Sequence, residues 1–260
     1  MTTVEVDCLY LSRILLDSSS RRVISELAHP YEMHRTLMLG FPNMTNETQS
    51  EARDEFRVLF RADVDDLRRV VKVYVQSRIE PNWSFLNGLN DYLCADTEMP
   101  EYEHNDIMSA YRKIQNGQIF SFRLRANPTR RIAKQDDLMR GKRVELVREE
   151  EQIKWLVRKG RGTEAQKSGG FEIMMKEGKD SNGEVQLIPR VNVCCEGKQK
   201  GRKKQEERSH ETTHVAVRFD GLLRVTDADA FRETLCKGIG PGKAFGFGLL
   251  SVAPVKLNTA

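Results

Sequence analysis

The order in which two hydrophobic periodicities alternate constrains this chain most. Apolar residues alternate with polar ones along a strand and recur at three and four residues along a helix. Over residues 8–127 the patterns run strand, helix, strand, strand, helix, strand. Residues 8–16 open the series with Leu9, Leu11, Ile14, Leu15 and Leu16. Ser18, Ser19 and Ser20 then offer N-caps for a helix through Val23, Ile24 and Leu27. Pro30 interrupts it and suits the first turn of a second helix, 31–39, which Gly40-Phe41-Pro42 ends. Strands are expected at 56–60 and 70–76, both rich in β-branched and aromatic residues, and a short helix within 83–93. Residues 119–126 close the set. There Phe120, Phe122 and Leu124 alternate with Ser121, Arg123 and Arg125, which predicts one buried and one basic face. This is the ferredoxin-like order, an α+β fold with an antiparallel sheet.

The remaining chain repeats the theme less clearly. A helix is expected over 149–158, strands at 171–176, 191–195 and 215–225, a helix at 227–236 with Asp227 as N-cap, and a closing strand at 247–253. The polar stretch 196–212 reads as a hairpin tip or a loop, and the glycines between 160 and 170 mark a second irregular segment. A length of 260 residues is enough for two small domains.

Composition narrows the class. The chain is 39% hydrophobic and 31% charged, and no stretch approaches the roughly 20 apolar residues of a membrane span. Glu5 and Asp7 precede the first apolar run, unlike a signal peptide, so a cytoplasmic protein is expected. Five cysteines, an odd number with no CxxC pair, argue against a disulfide framework. His210 and His214 stand four apart in a polar run with no third ligand beside them, so no metal site is expected. The net charge of +4 says little, but its distribution says more. Lys198, Lys200, Arg202, Lys203 and Lys204 crowd into seven positions. A second set runs through Arg123, Arg125, Arg130, Arg131, Lys134, Arg140, Lys142 and Arg143. Such clusters are the footprint of a polyanion, or a solvated charged face.

Near the end, Gly238-Ile239-Gly240-Pro241-Gly242-Lys243-Ala244-Phe245-Gly246-Phe247-Gly248 packs five glycines and a lysine into eleven residues. Glycine lets backbone approach a ligand closely, and the lysine suits phosphate. Lys237 and Ala244 fail the Walker A pattern, and no glycine here begins a dinucleotide fingerprint. A polymeric phosphate fits better than ATP or NAD. For chemistry, Tyr31 and His34 are three apart on one expected helix, so their side chains share a flank. With Arg35 they form a candidate proton-transfer group. The competing reading makes His34 a surface hydrogen-bonding residue and Tyr31 a half-buried ring. No Gly-x-Ser-x-Gly elbow occurs, Asp65-Asp66 and Asp136-Asp137 read as solvated turns, and Trp83 and Trp155 read as core.

Five blocks in order carry a resemblance: Leu9-Tyr10-Leu11-Ser12-Arg13, Pro30-Tyr31-Glu32-Met33-His34-Arg35, Phe122-Arg123-Leu124-Arg125-Ala126-Asn127-Pro128, Gln152-Ile153-Lys154-Trp155-Leu156 and the glycine-rich segment running on to Ser251. Over 9–254 the chain closely resembles the CasE family, the CRISPR-associated endoribonucleases of type I-E systems. The resemblance implies two tandem ferredoxin-like domains, 1–140 with the catalytic pair and 141–260 with the basic segment and glycine-rich loop. It implies metal-independent, cofactor-free cleavage of CRISPR repeat RNA at the base of a stem-loop. The ends would be a 2′,3′-cyclic phosphate and a 5′-hydroxyl, and the mature guide RNA would stay bound beside other Cascade subunits, with no membrane involved. By the same resemblance His34 and Tyr31 are the catalytic residues. RNA contacts are expected from Arg35, Arg123, Arg125, Lys198, Lys200, Arg202, Lys203, Lys204, Gly240, Gly242 and Lys243. The chain departs from the family at about residues 1–8, at the charged 196–208, and at Gly40-Phe41-Pro42, where some relatives bring a basic residue to the site.

Overall fold

In the computed structural model, the residues described are 8–42, 56–95, 98–134, 137–162, 168–179, 183–205 and 208–255, with side chains outside 133–142 and 200–212. They divide into two compact units. One holds the residues up to Lys113 with Gln199–Thr213 and Gly242–Leu249, and the other Ile114–Lys198, His214–Pro241 and the chain from Leu250 on. The sequence reading cuts the chain once, at 140/141, whereas these units are discontinuous.

In the first unit, strand β1 (Tyr10–Asp17) leads into helices α1 (Arg21–Ala28) and α2 (Pro30–Met38), then strands β2 (Leu59–Asp65) and β3 (Val70–Ser77). A 3₁₀ turn (Ser84–Gly88), strand β4 (Tyr102–Asp106) and the short helix α3 (Met108–Arg112) follow. The sheet order is β2-β3-β1-β4, all antiparallel, which is the ferredoxin-like arrangement. Ser20 caps α1 through a side-chain bond with Val23 N–H, as its position before the apolar run predicts. β2 begins later than the expected 56–60: Phe56 is helical and Arg57 takes a φ of 42°, so the strand starts only at Leu59. The core lies between the helices and one sheet face: Ile14, Leu16, Val71, Val73 and Val75 meet Val23, Met33 and Leu37. Ser12 enters this core, and its Oγ accepts from Trp83 Nε1 at 2.9 Å, so neither is left unsatisfied.

The strand Ile119–Ala126 (β5) is where sequence and structure part. It does not close the first sheet. It lies within the second one, between β12 (Arg208–Val225) and β13 (Leu250–Pro254), antiparallel to both. The first sheet is closed instead by β4, whose sequence Tyr-Glu-His-Asn-Asp is polar and half-exposed, with no apolar alternation to reveal it. The second unit then reads β5, helix α4 (Glu149–Arg161), β8 (Phe171–Ile173), β11 (Val191–Gln205), β12, helix α5 (Ala228–Lys237) and β13. Its sheet runs β11-β12-β5-β13, with β8 also on β12. Strand two of this second ferredoxin-like unit is thus shared between β8 and β11. Two ribbons are added: β6 (Thr129–Lys134) with β7 (Asp137–Glu145), and β9 (Met175–Lys179) with β10 (Val185–Pro189). Of the stretch expected as a hairpin tip or loop, residues 196–205 and 208–212 belong to the long β11 and β12 strands. No helix among the described residues is long and apolar enough to cross a membrane.

Candidate active site

Helix α2 begins at Pro30, in its first turn, where the missing N–H costs no hydrogen bond. Periodicity then sets two sides. Met33, Thr36 and Leu37 are buried, and Met33 and Leu37 join the apolar core. Tyr31 and His34 lie half-buried on the flank and Arg35 is exposed. The helix ends at Met38, and position 40 just beyond it has room only for glycine, since a β-carbon there would sit 2.6 Å from Trp83; Asn82 N–H bonds the Gly40 carbonyl at 2.8 Å.

Four rings follow one another across three elements of the first unit. The His34 imidazole stacks on Phe60 of β2, with centroids 6.1 Å apart and planes 12° apart. Tyr31 lies 6.1 Å from His34, and Phe245 lies 5.8 Å beyond Tyr31. Phe60 is buried in the core, so it gives the imidazole a fixed floor. Phe245 belongs to the 3₁₀ turn Lys243–Phe245, which packs against both α2 and β2. That turn puts the exposed Lys243 on the segment that reaches Tyr31. Arg35 is bonded to Glu32 at 2.9 Å, a pair so exposed that it holds the guanidinium weakly and leaves it available to a stronger anion. The site therefore holds an imidazole, a phenol and cations from two segments.

The glycines of the loop serve the chain's own packing. Gly240 has φ 83° and a β-carbon there would meet the Trp155 ring at 3.1 Å. Gly242 has φ 82°, and its β-carbon would lie 2.9 Å from the buried Phe247 ring. Gly242 also accepts from Phe245 N–H at 2.8 Å, closing the turn that carries Lys243 and Phe245.

The other expected RNA-binding residues fall in two groups. Arg123 and Arg125 lie on the second sheet in a ladder of charge. Arg123 bonds Asp220 at 2.6 Å, Arg125 bonds Glu196 at 2.7 Å, and Arg218 bonds both carboxylates. The Arg125 side chain is 10% exposed against 39% for Arg123, so Arg123 alone of the two presents much surface. The basic face that alternation predicts is thus largely neutralised from within. Lys198 is exposed on β11, and the side chains of Lys200, Arg202, Lys203 and Lys204 lie outside the described residues. The ribbon β6–β7 sets the exposed Arg131 directly opposite the exposed Arg143.

Sequence reasoning misses several of these groups. Phe60 and Phe245 are placed beside Tyr31 and His34 only by the fold. Lys159 lies half-buried over the Trp155 ring at 5.9 Å, and burial, with Arg158 and Arg143 nearby, holds its pKa below the usual lysine value. An anion would relieve that crowding. Glu26 does not announce itself as a buried acid, although its spacing of three from Val23 puts it on the core side of α1. His214 lies on a strand, with Nδ1 2.8 Å from Asn127 Nδ2. Among the described residues no three His, Cys, Asp or Glu are grouped to hold a metal.

A family model described as "CRISPR associated protein" matches residues 9–254. The "CRISPR-associated endoribonuclease Cse3" of Thermus thermophilus is 35% identical over 247 residues, covering 95% of this chain and all of that one. The "CRISPR system Cascade subunit CasE" of Escherichia coli is 27% identical over 257 residues, with 95% and 100% covered. The structure of Thermus thermophilus Cse3 bound to an RNA representing a pre-cleavage complex superposes with a TM-score of 0.66 at 31% identity, covering 95% of this chain and 100% of that one.

Proposed function

The chain belongs to the family of CRISPR-associated proteins, and from that premise we propose that it is the CasE-type endoribonuclease of its Cascade complex. It cleaves CRISPR repeat RNA at the base of the stem-loop, keeps the mature guide RNA, and works in the cytoplasm with the other Cascade subunits. The observation that carries this reading is the His34 imidazole on a fixed aromatic floor, with the Tyr31 phenol beside it and the Lys243 turn packed against the same helix.

The chemistry follows from those groups. The 2′-oxygen next to the scissile phosphate forms a bond to phosphorus as the bond to the 5′-oxygen breaks. The 2′-hydroxyl gives up its proton and the departing 5′-oxygen gains one. The nucleophile belongs to the RNA, so no activated water is needed. His34 supplies one of the two proton transfers, and Tyr31 orients the 2′-hydroxyl or shares in its deprotonation. Such acid–base help is worth about 10²–10⁴-fold. Lys243 and Arg35 are the cations for charge developing on the phosphate. Binding is shared out. Lys198, Lys200, Arg202, Lys203 and Lys204 meet backbone phosphates, since an A-form stem is read mainly by shape and phosphate. Arg131, Arg143 and the half-buried Arg123 add to them. Arg125 acts through Glu196, and Gly240 and Gly242 act by shaping the loop.

The test is cleavage of the host's own repeat RNA in EDTA, wild type beside His34→Ala, with analysis of the ends. A single cut leaving a cyclic phosphate, slowed at least about 10²-fold in the variant, is expected. Equal rates would remove His34 from the reaction. Tight hairpin binding with no cutting by either protein would make the chain a non-catalytic RNA-binding subunit.

A further inference from the structure

A buried acid ties the helix that carries His34 to the rest of its unit. Glu26 of α1 is 5% exposed. Its carboxylate accepts from Thr36 Oγ1 at 2.7 Å, from Tyr92 Oη at 2.5 Å and from Arg22 Nε at 3.0 Å. Arg22 also donates to the Thr36 hydroxyl at 3.1 Å and lies over the Tyr92 ring at 5.2 Å. Four side chains from α1, α2 and the segment after the 3₁₀ turn Ser84–Gly88 thus form one closed polar cluster in or beside the core.

Stability alone does not account for it. Replacing buried charged groups by apolar ones of similar volume is often neutral or stabilising. What a satisfied buried network adds is a single arrangement, since its bonds are directional and apolar contacts are not. Met33 and Leu37 hold α2 against the core through contacts that are not directional, and the Thr36 bond adds one that is. Thr36 sits two residues after His34, about 200° round the helix, so the two side chains project from nearly opposite sides. Any rotation that stretches the Thr36 bond swings the imidazole by the same angle. At the rim of a helix of about 5–6 Å radius, a rotation of about 20° moves an atom by about 2 Å. A misplacement of about 1 Å can cost about 10²-fold in rate.

We infer that Glu26, through Thr36, is the positioning residue of the active site: it fixes the rotation of α2 that holds His34 on Phe60 and Tyr31 beside Phe245. This rests on the assignment of His34 to catalysis. Neither Glu26 nor Thr36 lies on the ring-bearing flank, so the effect belongs to the cleavage step and not to RNA affinity.

Thr36→Val keeps the shape and deletes the hydroxyl, and Thr36→Ser restores it. The assay is single-turnover cleavage of the repeat RNA beside the dissociation constant of an uncleavable 2′-deoxy form, with urea unfolding as a check that each variant folds. Expected are a loss of at least about 10-fold in rate for Thr36→Val, affinity within about twofold, an unmoved pH–rate profile, and most of the rate regained in Thr36→Ser. Thr36→Val cutting at the wild-type rate while His34→Ala is inactive would overturn the positioning role and leave the nuclease reading intact. A loss of affinity matching the loss of rate, or no recovery with serine, would also overturn it. His34→Ala cutting normally would remove the nuclease reading itself.

Discussion

Substituting Gly242 by alanine should separate the loop's packing from its chemistry. Two costs add at this position. The residue sits at φ 82° and ψ 30°, a left-handed conformation that costs an L-residue about 1–2 kcal/mol. The new β-carbon would lie 2.9 Å from Cδ2 of Phe247, a fully buried ring that cannot swing aside, and such overpacking costs about 1–3 kcal/mol. The sum, about 2–5 kcal/mol, is a large share of a typical total stability of about 5–15 kcal/mol. The cheaper response is for the turn to lift, because its Phe245 N–H bond to the Gly242 carbonyl is made at the strained residue. Lifting it carries Phe245 away from Tyr31 and Lys243 away from α2. Cleavage should fall by about 10- to 100-fold, and the urea midpoint should fall with it. Two controls isolate the causes. Gly117 has φ 83° but nothing within 4 Å of a new β-carbon, so Gly117→Ala should lose only the backbone part, about 1–2 kcal/mol, and cut normally. Gly88 has neither constraint, so Gly88→Ala should match wild type in both assays. A Gly242→Ala protein with unchanged urea midpoint and unchanged cleavage would refute both the packing role of Gly242 and its link to the site.

Two further outcomes follow from the charges. Replacing Lys198, Lys200, Arg202, Lys203 and Lys204 by alanine should weaken binding of unrelated hairpins alike. It should also flatten the dependence of log affinity on log salt, by roughly one for each phosphate no longer neutralised. An unchanged salt slope would exclude that segment from the RNA. The Asp106 carboxylate accepts from Met108 N–H at 2.8 Å and Leu9 N–H at 3.2 Å, and these bonds, Met108 first, hold its pKa below the ordinary 3.8. The unfolded chain takes up that proton more readily, so this contribution is full above 3.8 and is lost as pH falls through the lower folded value. Asp106→Asn should therefore lower stability at neutral pH and flatten the acid limb of a pH–stability curve, and an unaltered limb would show that the two bonds are not made.

What local chemistry can fix was legible in the residues alone. Ser20 and Asp227 cap their helices, and Pro30 opens α2, because capping needs only a side-chain oxygen or a missing N–H at the right step. The spacing of Tyr31 and His34 puts them on one flank whatever the partner. Alternation in 119–126 correctly marks a strand with one apolar face. It could not say which sheet the strand joins, since pairing with β12 and β13 is set by segments about a hundred residues away. Nor could it show that Glu196 and Asp220 would neutralise the arginines of that face. The floor under His34, the turn against Tyr31 and the acid behind Thr36 are each assembled from separate stretches of chain. They arise only in the folded chain, because a side chain's neighbours across a sheet or between helices have no fixed distance along the sequence.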